Sequence, residues 1–74
     1  MKIKVVYRKT VEEEIEVDDK YYALTEKGGY NDLPNEEVDK LINGIIIDVE
    51  HNTEADYDDI YYIETTDDGI IFEG

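Results

Sequence analysis

The sequence predicts a small α+β domain, an antiparallel sheet of four or five strands with two short helices. Three observations carry this reading. The runs KIKVVYRK and TVEEEIEV alternate apolar and polar residues with the period of a half-buried strand. LPNEEVDKLING spaces its apolar residues as a helix does. DIYYIETTDDGIIFEG sets two apolar runs on either side of an Asp-Gly pair, a hairpin signal. At 74 residues the chain has room for one domain, and folding buries only about 60% of the surface that so short a chain exposes when unfolded. Ten isoleucines, six valines and eight aromatics in periodic runs argue for a packed core, against the disorder that an acidic composition often signals.

In the first strand Ile3, Val5 and Tyr7 face one way, and Lys4, Val6 and Arg8 the other. In the second, Val11, Ile15 and Val17 face inward and Glu12, Glu14 and Glu16 outward, with Glu13 a polar misfit on the inner face. A basic strand beside an acidic one suits antiparallel pairing, each opposite-charge pair contributing roughly 0.2–1 kcal/mol. No Gly, Pro or Asn lies between them, so the turn near Arg8–Thr10 is undefined and one long bent strand is the alternative. DDKYYALTEKGGY predicts a short helix capped by Asp18 or Asp19 and stopped by Gly28-Gly29. The second helix starts at an Asn35 N-cap after Pro34, carries Val38, Leu41 and Ile42 on its apolar stripe and ends at Gly44. Ile45, Ile46, Ile47 and Val49 then predict a buried strand, with continuation of the helix as the alternative. Residues 51–58 read as a loop. Two final strands flank Asp67, Asp68 and Gly69, and in DYDDIYYIE alternation turns Ile60 and Tyr62 to the core and Tyr61 and Ile63 to the other side.

Charge is the most informative property. Twenty-one acidic residues against seven basic ones give a net charge of −14. Lys2, Lys4, Arg8 and Lys9 crowd the first nine residues, whereas no Lys or Arg follows Lys40 and ten acids do. Nucleic acid and anionic membranes repel such a chain, so its expected partner is cationic. The absence of a leader-like or membrane-length apolar run, together with the absence of cysteine, predicts a cytoplasmic protein. Nucleophilic catalysis through serine or cysteine is excluded, since the chain contains neither, and zinc lacks cysteine or a second histidine beside His51. The expectation is a protein that is not an enzyme and holds no cofactor. DVEHNTEADYDD lies over a twelve-residue calcium loop but carries Thr53 where the turn requires Gly and Asp59 where a bidentate Glu is usual.

What remains is the surface. Residues two apart on a strand lie about 6.6–6.8 Å from each other on one face, so Glu12, Glu14 and Glu16 form a regular row of carboxylates. Nucleic acid presents a comparable row of phosphates. Asp56, Asp58, Asp59, Glu64, Asp67 and Asp68 extend the negative surface, and Tyr57 and Tyr61 among them supply large amphipathic rings that serve as anchors. In TVEEEIEVDD, in EADYDDIYYIETTDD and in its size, the chain resembles the small acidic inhibitors of phages and mobile elements, among them anti-CRISPR proteins and anti-restriction DNA mimics. The resemblance implies a bacterial host cytoplasm and a basic nucleic-acid-binding target, a CRISPR effector or restriction-type nuclease, whose DNA or guide-RNA channel is occupied. Two other classes compete with it: a regulatory module that forms a homodimer through an exposed strand edge, and an acidic divalent-cation binder.

Overall fold

Why the N-terminal segment becomes the middle of a sheet follows from its residues: it is the one strand with both a full apolar face and several lysines. A computed structural model of the chain describes residues 1–65 and 69–74. Its four strands, β1 (Lys2–Tyr7), β2 (Val11–Glu16), β3 (Ile60–Thr65) and β4 (Gly69–Glu73), form an antiparallel sheet in the order β2-β1-β3-β4. One long helix, α1 (Asn35–Asn52), connects β2 to β3, together with 3-10 turns at Asp19–Leu24, Tyr30–Asp32 and Tyr57–Asp59. The fold is α+β, as expected, with four strands.

The inner face of the sheet is apolar. Ile3 lies between Ile15 and Thr65, Val5 between Glu13 and Ile63, and Tyr7 between Val11 and Ile60. Ile3, Val5 and Ile63 are fully buried in one core with Ile45, Ile46 and Val49 of α1 and with Tyr21 and Leu24 of the first 3-10 turn. Glu13, the misfit, is accommodated because it sits at the sheet edge and accepts a 2.8 Å hydrogen bond from the Tyr7 hydroxyl. Burial of an unpaired hydroxyl costs about 1–3 kcal/mol, so the carboxylate is what lets a tyrosine end this row.

Four sequence readings are resolved or corrected. First, β1 and β2 pair antiparallel as expected, and the turn that the sequence leaves undefined is made by Arg8 (φ 50°) and Lys9 (φ 67°) in the left-handed region without a glycine. Second, the expected short helix is a 3-10 helix capped by Asp18, whose carboxylate accepts from the Lys20 amide at 2.8 Å, and it ends at Leu24, before Gly28-Gly29. Third, the second helix does not stop at Gly44, and residues 45–49 are helical. Ile45, Ile46 and Val49 continue the stripe of Val38, Leu41 and Ile42 at i+3 and i+4, while Ile47 points outward, 52% exposed. Gly44 is retained inside the helix, at about 1 kcal/mol relative to alanine, because a Cβ there would stand 2.7 Å from the Tyr21 hydroxyl oxygen. Pro34 and not Asn35 is the N-cap, with Glu36 and Glu37 in the first turn. Asp48 to Asn52 are therefore helical, and the calcium-type loop does not form. Fourth, bulges break the alternation of the last strands. Ile60 pairs with Tyr7 and Tyr62 with Val6, so Ile60 and Ile63 are buried, Tyr62 turns to the outer face and Tyr61 is left 47% exposed. The expected hairpin at Asp67 and Asp68 lies outside the described residues; β3 and β4 pair antiparallel on either side of it. Among the described residues no helix is long and apolar enough to cross a membrane.

Two outcomes follow from these contacts. A side chain in the left-handed region costs roughly 1–2 kcal/mol, partly offset in a glycine variant by the greater freedom of its unfolded chain. Lys9→Gly is thus expected to stabilise the fold by about 0.5–1 kcal/mol, a rise in Tm of about 2–8 °C by thermal denaturation; a fall in Tm would show the turn to be unstrained. The second concerns pH. The hydrogen bond to Glu13, then burial, raises the Tyr7 phenol above its ordinary 10.0, and burial, then the nearby Asp48 carboxylate, raises Tyr21. Groups raised in the folded state stabilise fully below their unfolded value and lose that contribution as pH rises through the folded one. Chemical denaturation should accordingly show stability falling above pH 10.0, and Tyr7→Phe should flatten that decline. An equally steep decline in the variant would remove Tyr7 from the explanation.

Candidate functional site: an acidic, tyrosine-bearing surface

The outer face of the sheet is where the regular row of glutamates lies. Glu12, Glu14 and Glu16 are all exposed on β2, in register with Val6, Lys4 and Lys2 of β1. The row is not free of cations. The Lys2 ammonium lies 3.8 Å from Glu14, and the Met1 amine lies 3.2 Å from Glu16. Lys4, flanked by Glu14 and Glu64 across both ladders, makes its close pair with Glu64 at 3.0 Å. That hydrogen bond, with the Glu12 and Glu64 charges behind it, raises the Lys4 pKa above its ordinary 10.5. Val6, though on this face, is only 5% exposed, in register with Glu12 and Tyr62. The outer face is therefore a charge lattice with β1 as its positive line.

The other predicted residues gather elsewhere, where the chain leaves α1 and enters β3. Thr53 closes the helix, its amide and hydroxyl both donating to the Val49 carbonyl at 2.9 and 2.8 Å, and its hydroxyl oxygen accepts from the Ala55 amide. Ala55 is buried, which pins the segment while leaving its neighbours outside. Asp56, Tyr57 and Asp58 are exposed, Tyr57 at 57%. The Tyr57 ring tilts against Phe72 of β4, centroids 6.3 Å apart, and its amide donates to the Glu50 carboxylate at 3.3 Å. Tyr61 follows at the bulge. Asp67 and Asp68 lie outside the described residues.

Among the described residues, Arg8 is the cation within ion-pair distance of this segment. Arg8, from the β1–β2 turn, sets its guanidinium 3.5 Å from the Asp59 carboxylate and 3.8 Å from that of Glu54, and donates to the Glu54 carbonyl at 3.2 Å. Its backbone amide also donates to the Asp59 carbonyl at 3.0 Å. Arg8 thus engages two of the acids, whereas Glu50, Asp56 and Asp58 have no cation within ion-pair distance among the described residues. Sequence reasoning named Asp59 as a free contact and missed Arg8, Glu50 and Glu54. Only the continuation of α1 to Asn52, implied by the isoleucine spacing, would have indicated Glu50.

Comparisons with protein-family models, curated proteins and solved structures give no match for this chain. The chemistry of the surface has therefore to be taken from its own groups. Among the described residues no three His, Cys, Asp or Glu side chains converge to hold a metal ion. His51 is exposed on the last turn of α1 and, among the described residues, has no hydrogen-bond partner. The segment of residues 50–61 instead offers uncompensated carboxylates beside two half-exposed phenol rings, which suits contact with a broad positive surface.

Arg8 is expected to order this segment more than it stabilises the whole fold, because exposed ion pairs contribute only about 0–1 kcal/mol each. Hydrogen exchange should show the amides of residues 54–59 exchanging several-fold faster in Arg8→Ala, with Tm lowered by no more than about 8 °C. Arg8→Lys keeps the charge but not the fork that spans two acids, and should behave like Arg8→Ala. Unchanged exchange in both variants would show that the segment is held by its backbone alone.

Proposed function

We propose that the chain is a non-enzymatic acidic inhibitor that occupies the positively charged nucleic-acid-binding cleft of a bacterial defence nuclease, of the CRISPR-effector or restriction type, in the host cytoplasm. The observation that carries this is the exposure of Tyr57 between Asp56 and Asp58, and of Tyr61 at the start of β3, in a chain of net charge −14, the two carboxylates having no cation within ion-pair distance among the described residues. An apolar ring on a surface costs little by itself. Set among unpaired acids, it matches a cleft whose basic groups hold phosphates and whose walls stack on or pack against bases.

The two components act differently. The unpaired acids, with the partly neutralised row Glu12, Glu14, Glu16 and Glu64 adding to the long-range field, accelerate encounter and select a cationic partner. The rings give the short-range affinity, as buried aromatic anchors do at protein interfaces. Because the field arises from the whole chain and the anchors from two residues, salt weakens the complex by slowing association, whereas loss of a ring speeds dissociation.

The test is capture from a bacterial lysate on the immobilised chain at low salt, with elution by duplex DNA. The captured protein should itself bind DNA and lose it to this chain. Asp58→Lys or Tyr57→Ala should weaken that displacement by about tenfold to thirtyfold, equivalent to about 1.4–2 kcal/mol. Capture that resists DNA, or displacement that both variants perform as well as the parent, would overturn the reading.

A further inference from the structure

The two edges of the sheet are guarded differently. β2 carries Glu12, Glu14 and Glu16, and a row of like charges keeps an edge from pairing with other chains. β4 runs Gly69-Ile70-Ile71-Phe72 before its first charge at Glu73, and Ile70 is 53% exposed. On its other side β4 has no strand neighbour among the described residues. There a groove of about 400 Å³ opens between β4 and the segment that follows the first 3-10 turn. Leu24, Tyr30, Ile70 and Phe72 give it apolar walls, Glu26 and Glu73 bring carboxylates, and among the described residues that line it none is basic. Phe72 is also the ring on which Tyr57 rests, so the groove is continuous with the acidic, tyrosine-bearing surface.

We propose that this edge and groove receive an extended cationic segment of a partner protein, paired against β4 as a short fifth strand. Its apolar side chains enter the groove and its basic ones meet Glu26 and Glu73, the alternation fitting the two-residue period of a strand. The proposal rests on the functional reading in taking the partner to be basic. The chain already builds itself this way: β1, with lysines alternating against apolar residues, is held between strands that bring Glu14 and Glu64 to Lys4. A second copy of the chain is a poorer occupant. It brings another net charge of −14, and the shift in register at Ile71 kinks the edge, which opposes long pairing of two flat identical strands.

The probe is an acetylated peptide of alternating lysine and valine, titrated into the full isotope-labelled chain and followed by amide chemical shifts. Saturable shifts on residues 69–73 and 24–31 are expected. Ile70→Lys and Glu73→Lys, both at exposed positions, should weaken binding by about tenfold while leaving the rest of the spectrum in place. A glutamate–valine peptide should not bind. Shifts confined to residues 11–16 or 54–59, an unchanged Kd in Ile70→Lys, or equal binding of the acidic peptide would each overturn the proposal. So would a concentration-dependent mass with β4 shifts in the chain alone, which would give the edge to a second copy. Peptide binding at β4 without displacement of DNA from a captured target removes the functional reading and leaves this one; displacement without peptide binding at β4 does the reverse.

Discussion

The whole fold depends on β1 being the positive strand of a negative protein. A chain with 21 acidic and seven basic residues opposes its own collapse, and four of its seven cations lie within the first nine residues. Placing that segment in the middle of the sheet lets Lys2 and Lys4 face glutamates across a ladder, and Arg8 at its end reaches the segment that leads into β3. The same strand presents Ile3, Val5 and Tyr7 to the core. Removing β1 from the centre would therefore expose the core and leave β2 and β3 as two acidic strands with nothing between them.

What β1 does not reach is as informative as what it does. Its cations neutralise Glu14, Glu16 through the neighbouring amine, Glu64, Glu54 and Asp59, and leave Glu50, Asp56 and Asp58 uncompensated beside exposed tyrosines. An even distribution would have spread the four cations around the globule. The actual one sets Lys2 and Lys4 against Glu14 and Glu64 in the sheet and Arg8 against Glu54 and Asp59 at the α1–β3 junction, and leaves Glu50, Asp56 and Asp58 beside that junction without an ion pair among the described residues. Phe72, which Tyr57 rests on, also lines the groove beside the open edge of β4.

The tyrosines divide between the two tasks. Tyr7 and Tyr21 are buried, the Tyr7 hydroxyl donating to Glu13 and the Tyr21 phenol raised above its ordinary pKa by burial and then by the nearby Asp48 carboxylate, so that acids lie at the ends of the core as well as covering its outside. Tyr57 and Tyr61 are held at the surface by local backbone features, a 3-10 turn and a bulge. In an 8.6 kDa domain with 41% hydrophobic residues, this use of phenols lets a small core tolerate an acidic shell.

Much of this was legible in the sequence. Period-two alternation identified β1, β2 and the faces of Ile3, Val5, Tyr7, Val11 and Ile15, because burial on one side of a sheet imposes that period whatever the neighbours are. The α+β class, a cap at Asp18 or Asp19 and the outward row of Glu12, Glu14 and Glu16 followed from the same local rules, as did the exposure of Tyr57. Other features needed the folded molecule. Arg8 and Lys9 adopt left-handed backbone because the hairpin and the contact with Asp59 require it, not because their type favours it. Gly44 reads as a stop until Tyr21 is seen to occupy the space its missing side chain leaves. Bulges set the facing of Tyr61 and Tyr62, and a bulge arises from pairing between strands, which no single segment records. Sequence alone determined how much charge the protein carries and which residues alternate; tertiary structure decided which acids are answered, because a salt bridge between residues 51 positions apart, such as Arg8 and Asp59, exists only once the chain has closed upon itself.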